Sequence, residues 1–174
     1  TYNNGIWKPI GTAQIPFNGV FDGAGHVIKN LNIPNNNDNS IGLFGTIGEG
    51  EVKNLGIEIK EDGAIETRVS QGKAGGIVGF VSKSISIKNC YVRGNIIAAE
   101  AGGLVARGFD TNITIDSSYM SGNLSNTNNG FGGEYLGGLV GSNYRYPVTI
   151  TNSFNNGKIQ AKNSSSPVYI GGLV

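Results

Sequence analysis

The stretch Gly137-Gly138-Leu139-Val140-Gly141 decides the fold, because it is one of five copies of a single short motif. The copies are IGLFG at 41–45, GGIVG at 75–79, GGLVA at 102–106, GGLVG at 137–141 and GGLV at 171–174. Their second residues are Gly42, Gly76, Gly103, Gly138 and Gly172, which are spaced by 34, 27, 35 and 34 residues. A period of roughly 20 to 50 residues indicates an array in which one supersecondary unit is copied and stacked.

A second motif follows the first four copies at a near-constant distance. It reads VKNL at 52–55, IKNC at 87–90, IDSS at 115–118 and ITNS at 150–153, and an earlier IKNL at 28–31 lacks the preceding glycine motif. Because Asn tolerates the left-handed backbone of a tight bend and its amide can bond to a copy of itself, we expect a ladder at this position. The expected ladder residues are Asn30, Asn54, Asn89, Ser117 and Asn152.

Composition favours strands over helices. The chain has 29 glycines among 174 residues and only 14% charged residues, and its short apolar runs, rich in Ile and Val, are bounded by Gly, Asn and Ser. That pattern is typical of short strands between turns. Each repeat therefore predicts three strands separated by bends, which is one coil of a parallel β-solenoid of about four to five coils.

Stacking of coils places like residues over like residues, about 4.8 Å apart. We expect an aromatic stack of Tyr91, Tyr119 and Phe154. Two aliphatic columns are also expected: Leu43, Ile77, Leu104, Leu139 and Leu173 form one, and Ile28, Val52, Ile87, Ile115 and Ile150 form the other. The paired glycines are expected where the backbone needs a positive φ or a close approach to a neighbour.

The repeats also set the expected domain organisation. Residues 1–40 are predicted to form an N-terminal cap and first coil, and residues 41–174 the repeats, truncated at the C-terminal end. A leucine-rich repeat is the main rival, but its LxxLxLxxN spacing and its helical half-repeat cannot be found. A propeller fits less well, because each blade needs about 40 residues.

Charge and residue usage exclude several functions. The net charge of +1, with no run of Lys or Arg, lacks the electrostatic footprint of a nucleic-acid-binding protein. No apolar stretch approaches the roughly 20 residues of a membrane span. The single cysteine, Cys90, and the single histidine, His26, cannot supply a disulfide or an HExxH metal site. The oxygen-rich stretch at 35–39 has one carboxylate, which is thin for calcium, so no metal and no cofactor are expected.

With these motifs in place, the chain resembles the GLUG-motif repeats of bacterial surface proteins. The opening segments WKPIG at 7–11 and PFNGVFDGAGHVI at 16–28 also resemble the start of such arrays. The resemblance implies a right-handed parallel β-helix in secreted or wall-attached bacterial proteins, including adhesin-like proteins and the non-catalytic region of immunoglobulin A proteases. It implies no catalytic residues. The repeat is irregular at 58–66, where the third strand is poorly matched.

We therefore interpret the chain as a non-catalytic stalk or display module at a bacterial cell surface, in contact with neighbouring repeats. Two other classes stay open: a carbohydrate-active β-helix enzyme, and a glycan-binding module. An enzyme needs converging carboxylates, whereas only Asp116 falls in an aligned strand, and Asp22 with His26 looks like a turn rather than an acid–base pair. A contact patch for a host glycan or protein is predicted at Phe131, Tyr135, Tyr144, Arg145 and Tyr146.

Overall fold

The structure is a computed structural model that describes residues 2–3, 6–127, 133–162 and 164–174. The described residues contain strands and no helix, as the composition predicts. The strands are β1 (Tyr2–Asn3), β2 (Ile6–Trp7), β3 (Phe17–Asp22), β4 (Val27–Leu31), β5 (Ile33–Asn36), β6 (Ser40–Ile41), β7 (Phe44–Ile59), β8 (Ile65–Thr67), β9 (Lys73–Gly75), β10 (Val78–Ile97), β11 (Glu100–Gly102), β12 (Val105–Phe109), β13 (Asn112–Asp116), β14 (Tyr119–Ser125), β15 (Glu134–Gly137), β16 (Val140–Tyr144), β17 (Val148–Thr151), β18 (Phe154–Asn155), β19 (Lys158–Gln160) and β20 (Val168–Gly171).

The strands form two parallel sheets that follow the repeat. One sheet has the order β20-β15-β11-β9-β6, so it takes one short strand from each repeat. The other is built on the long strands β7 and β10, which pair in parallel from Val78↔Phe44 to Arg93↔Glu58. β12, β13 and β14 then pair with successive parts of β10. The small β1–β2 pair is antiparallel.

Each repeat pairs with the next in register, so equivalent side chains form columns. Val52 pairs with Ile87, Ile87 with Ile115 and Ile115 with Ile150. The first three of these side chains are fully buried. Period-2 alternation sends their neighbours outward, which is why one face of each strand forms the core and the other meets solvent.

The glycine motifs lie at the bend between the two sheets, where the aliphatic residue that follows them enters the core. The buried members of this column are Leu43, Ile77, Leu104 and Leu139, whereas Leu173 at the last repeat is 37% exposed. The backbone joins the levels here as well, because the amide of Leu104 donates to the carbonyl of Leu139 and that of Leu139 to Leu173.

One predicted column is wrong at its first member. The residue paired with Val52 is Phe21, whereas Ile28 pairs with Ile57 further along β7. Phe21 packs edge-on against Phe44, with the ring centroids 5.5 Å apart. Aromatic residues of β3 therefore close the first level of the core. The IKNL segment at 28–31 lies further along the chain, beside the last residues of β7.

Candidate functional site

Four residues of the predicted ladder lie at equivalent bends of successive repeats. Asn54, Asn89, Ser117 and Asn152 have φ values of 52°, 49°, 49° and 49°, which lie in the left-handed region. The residues just before them pair in register, Lys53 with Lys88, Lys88 with Asp116 and Asp116 with Thr151. Each bend therefore lies directly over the next one.

Side chains bond along the first part of this row. The amide nitrogen of Asn89 donates to Oδ1 of Asn54 at 2.9 Å, and the amide of Asn54 donates to Oδ1 of Asp22 at 3.0 Å. Asp22 also accepts from the backbone N–H of Ala24 at 2.9 Å, a turn contact that, with Asn54, lowers the pKa of its carboxyl group. Asp22 thus acts as a turn aspartate, which is the interpretation preferred over a catalytic pair with His26.

A second group of side chains surrounds Asp116. Its Oδ1 accepts from the hydroxyl of Thr151 at 2.6 Å and from the amide of Asn152 at 2.9 Å, and its Oδ2 accepts from Ser117 at 3.1 Å. These bonds, that of Thr151 first, lower the pKa of Asp116. Three neighbours hold this carboxylate in its charged form, so it accepts the hydrogen bonds that fix the bend.

The residue after each bend makes a contact that the motif alone did not reveal. The backbone N–H of Cys90 donates to Oγ of Ser118, and that of Ser118 donates to Oγ of Ser153, both at 3.0 Å. A left-handed residue turns the next amide away from the sheet, so a hydroxyl from the following repeat satisfies it. The serine that ends both IDSS and ITNS is the sequence feature from which this contact could have been predicted.

Asn30 is the one predicted ladder residue that lies elsewhere. It has a positive φ of 59°, but its neighbours Lys29 and Leu31 pair with Glu58 and Ile59, downstream of Asn54. The expected alignment of Asn30 with Asn54 therefore fails. The bend at Asn30 and the bend at Asn54 both need a left-handed residue. The IKNL motif therefore suits either kind of bend.

Substitutions at Asn89 separate its backbone role from its side-chain role. Asn89→Gly removes the bond to Asn54 but keeps a residue that adopts positive φ, so we expect a loss of about 1 kcal/mol in the free energy of unfolding. Asn89→Ala should cost about 1 kcal/mol more, because a Cβ is disfavoured in this conformation. Chemical denaturation of both variants measures the difference. Equal losses would contradict the assigned backbone role.

The repeat glycines allow close approach rather than positive φ. None of Gly42, Gly76, Gly103, Gly138 and Gly172 is among the described residues with positive φ. A Cβ at Gly76 would lie 2.5 Å from the carbonyl oxygen of Gly103 and 2.6 Å from Val92. The backbone of one repeat therefore touches the next one at this bend, where no side chain fits.

The predicted aromatic patch is divided between the sheets. Tyr144 stacks on Phe109 with ring centroids 5.3 Å apart, and Arg145 lies 5.3 Å from the ring centroid of Tyr144. Tyr135 lies in the other sheet, where it stacks on Tyr169 at 5.0 Å. Tyr144 and Tyr146 are each 51% exposed. Phe131 lies outside the described residues, as do the side chains of Asn35 and Asn36 in the stretch considered for calcium.

The rings of Tyr91, Tyr119 and Phe154 form the predicted stack. Their centroids are 5.2 Å and 5.1 Å apart, and their planes differ by 9° and 2°. The guanidinium of Arg93 donates to the hydroxyl of Tyr119 at 3.0 Å. Since the rings cover one another's faces, this stack joins repeats and leaves mainly ring edges for contact with a partner.

Cys90 is a buried thiol with no features of a nucleophile. Its Sγ donates to the carbonyl oxygens of Lys88 at 3.2 Å and Val52 at 3.6 Å. Burial raises the pKa of Cys90 to about 11. A thiol of this kind stays protonated at neutral pH and does not attack a substrate.

An ion pair between a half-buried arginine and a buried carboxylate crosslinks the two sheets. Glu100 is 3% exposed, and its Oε1 accepts from Arg107 at 2.7 Å while its Oε2 accepts from Ser142 at 2.9 Å. Lys73 is the register partner of Glu100 in β9, and burial lowers the pKa of its ammonium group. Every oxygen of this carboxylate has a partner, as a buried charge requires.

Neither a metal cluster nor a membrane helix is found in the part of the chain that the structure describes. No three His, Cys, Asp or Glu side chains there lie close enough to hold a metal ion. No described segment forms a helix with the length and apolar character to cross a membrane.

Comparison with known proteins identifies part of the repeat region. Neither curated proteins nor solved structures give a match to the chain. Residues 132–160 match the family model described as "The GLUG motif". This segment contains the fourth glycine motif, β16, β17 and the bend at Asn152, so the chain carries a GLUG-motif region.

Proposed function

We propose that the chain is a right-handed β-solenoid that acts as a non-catalytic stalk or display module of a secreted or cell-surface bacterial protein. The observation that carries this proposal is the continuous parallel stacking, which repeats the same contacts from level to level. Backbone pairing runs from β7 through β10 and β13 to β17. The Asn and Ser side chains at the bend add hydrogen bonds between the same levels. The GLUG match supports the assignment to an extracellular, non-catalytic region.

Such stacking suits a stalk, because each level adds a fixed length. A repeat rises by about 4.8 Å along the stack, and its neighbours hold it on both sides. The outward residues can then vary without altering the core. Two segments are proposed: residues 1–40 as a cap and first coil, and residues 41–174 as the repeats.

A carbohydrate-active enzyme is the alternative in another class. The two carboxylates that could carry its chemistry, Asp22 and Asp116, are too far apart. Asp22 and Asp116 occupy one row, but Lys53 and Lys88 stand between them. Three strand spacings separate them by roughly 14 Å. Glycoside hydrolysis needs two carboxyl groups about 5 to 9.5 Å apart.

Labelling of producing cells tests the proposed location. Antibodies raised against the folded chain should bind intact cells as strongly as permeabilised cells, and external protease should remove the signal. Labelling that requires permeabilisation would contradict the proposal. For the enzyme alternative, cleavage of a polysaccharide panel that Asp116→Asn abolishes would replace the stalk with a catalytic function.

A further inference from the structure

One column of the core carries a polar residue in the fourth repeat. Its members pair in register from level to level and are Ile57, Val92, Met120 and Asn155. The first three side chains are fully buried, and Asn155 is half-buried. A polar side chain at an apolar position is favourable only where it makes a specific hydrogen bond. The bond that Asn155 makes therefore indicates why it is there.

The space around Asn155 is that of the apolar residues below it. A Cβ at Gly103 would lie 2.7 Å from Met120, and a Cβ at Gly138, one repeat later, would lie 2.8 Å from Asn155. Both side chains thus rest against the same glycine bend. Packing alone would accept an apolar side chain here, so it does not explain the asparagine.

The side chain of Asn155 covers a backbone nitrogen of the following turn. Its Oδ1 accepts from the backbone N–H of Gly157 at 3.0 Å. In the preceding repeat β14 runs without a break, whereas here β18 ends at Asn155 and β19 begins at Lys158. Asn155 therefore supplies a hydrogen-bond partner where the strand is interrupted, as asparagine does in many turns.

This turn contains the pair Asn156-Gly157, which is able to deamidate. The backbone nitrogen of Gly157 attacks Cγ of Asn156, the new N–C bond closes a succinimide, and the bond from Cγ to Nδ2 breaks. Ammonia leaves with the proton that Gly157 gave up. Water then opens the ring and returns a proton to the nitrogen, which yields aspartate or isoaspartate. Glycine has no Cβ to hinder the attack, and Asn156 is exposed to the water that the reaction needs.

The contacts of the folded turn oppose the first step of this reaction. The attacking nitrogen must lose its proton and turn towards Cγ, but its N–H is held by Oδ1 of Asn155. The backbone is held as well, because the amide of Asn156 donates to the carbonyl of Met120 at 3.2 Å. Gly157 also lies against the backbone of Gly122 in the preceding repeat. Attack therefore requires that these contacts break.

We propose that Asn156 is a latent deamidation site, which Asn155 keeps closed while the fourth repeat is stacked on the third. Isoaspartate at position 156 would add one carbon to the backbone between β18 and β19. The added carbon would displace Lys158 from its register with Asn123. Asn155 is a positioning residue, since it fixes the nitrogen of Gly157. This role goes beyond the stalk function and does not depend on where the protein is located.

The test is incubation of the folded full chain at mildly alkaline pH, with the conversion of each asparagine followed by peptide mass spectrometry. Trypsin releases Asn156 on the peptide between Arg145 and Lys158, and fragment ions assign the change to one residue. The same chain unfolded in urea gives the unprotected rate. We expect Asn156 to react at least about tenfold more slowly in the folded protein. Equal rates in the folded and unfolded chains would overturn the proposal.

Asn155→Val separates protection from packing. Valine already occupies this column at Val92, so the variant should keep its thermal stability while the N–H of Gly157 loses its acceptor. We expect Asn156 to deamidate about tenfold faster than in the wild type, and the amide of Gly157 to exchange faster with solvent. Asn155→Ser keeps an acceptor two residues before Gly157 and should stay close to the wild-type rate. An unchanged rate in Asn155→Val, or equal acceleration in both variants, would contradict the role of Asn155.

The pair Asn18-Gly19 is an internal control in the same samples. Its asparagine is held differently, because Oδ1 accepts from the amide of Glu49 at 2.9 Å and Nδ2 donates to the carbonyl of Pro16 at 3.2 Å. Asn18 should react equally slowly in the wild type and in both variants. Acceleration at Asn18 together with Asn156 would mean that the whole fold had loosened, and would overturn the local protection assigned to Asn155.

Discussion

Gly103→Ala should destabilise the protein by about 3 kcal/mol, because the added methyl group has no space between two repeats. A Cβ at this position would overlap the backbone carbonyl oxygen of Gly138 and lie 2.7 Å from Met120. The backbone atom cannot move without separating the paired repeats. Thermal or urea denaturation gives the change in the free energy of unfolding.

Gly172→Ala is a matched control, because Gly172 holds the same place in the fifth copy of the motif. A Cβ there would meet nothing within 4 Å. We therefore expect a change within about 0.5 kcal/mol, as for other substitutions away from packed features. Similar losses in the two variants would show that the cost arises from the glycine backbone rather than from contact between repeats.

Arg107→Ala should also cost about 3 kcal/mol, because it leaves the buried carboxylate of Glu100 without its main partner. The contact between Arg107 and Glu100 is 2.7 Å long, and the Glu100 side chain is only 4% exposed. The hydroxyl of Ser142 can satisfy one oxygen but supplies no charge, and the nearby cation that remains, Lys73 in the neighbouring strand, has its charged form disfavoured by burial. Equilibrium unfolding at neutral pH measures the loss.

The double variant Arg107→Ala with Glu100→Gln tests the reason for that loss. Removing the charge should restore part of the stability, since the penalty lies in the unpaired carboxylate. Arg145→Ala, which breaks an exposed pair with Asp110, should cost about 0.5 kcal/mol. Additive losses in the double variant would rule out the proposed coupling.

Much of the fold could be predicted from two short motifs. The alignment of Tyr91, Tyr119 and Phe154 is confirmed by the strand register and by the stacked rings. This succeeds because in-register stacking makes spacing along the chain equivalent to position in space. Where the preceding glycine motif was missing, at IKNL, residue type alone could not choose between two left-handed bends, and the alignment of Asn30 failed.

The turn at residues 60–64 lies beyond what the motifs could predict. Irregularity at 58–66 was visible in the sequence, but the pattern did not reveal that residues 60–64 form a tight turn, in which the amide of Gly63 donates to the carbonyl of Lys60, beside Asn95. Similarly, Tyr135 and Tyr144 are close in sequence yet belong to different sheets. In both cases the position of a segment depends on the strands with which it pairs. Those strands are distant in the sequence, so a local motif does not identify them.

The parallel register has a consequence for how the chain folds. Val52 can pair with Ile87, and Ile87 with Ile115, only after the whole stretch of chain between the two partners has closed into a loop. The entropy of loop closure is therefore paid before any such pair forms, which makes folding of non-local topologies slow. Once two repeats have paired, their open strand edge is a template on which the next repeat pairs. The rate-limiting nucleus should thus involve β7 and β10, the longest strands, and the outer repeats should join it later.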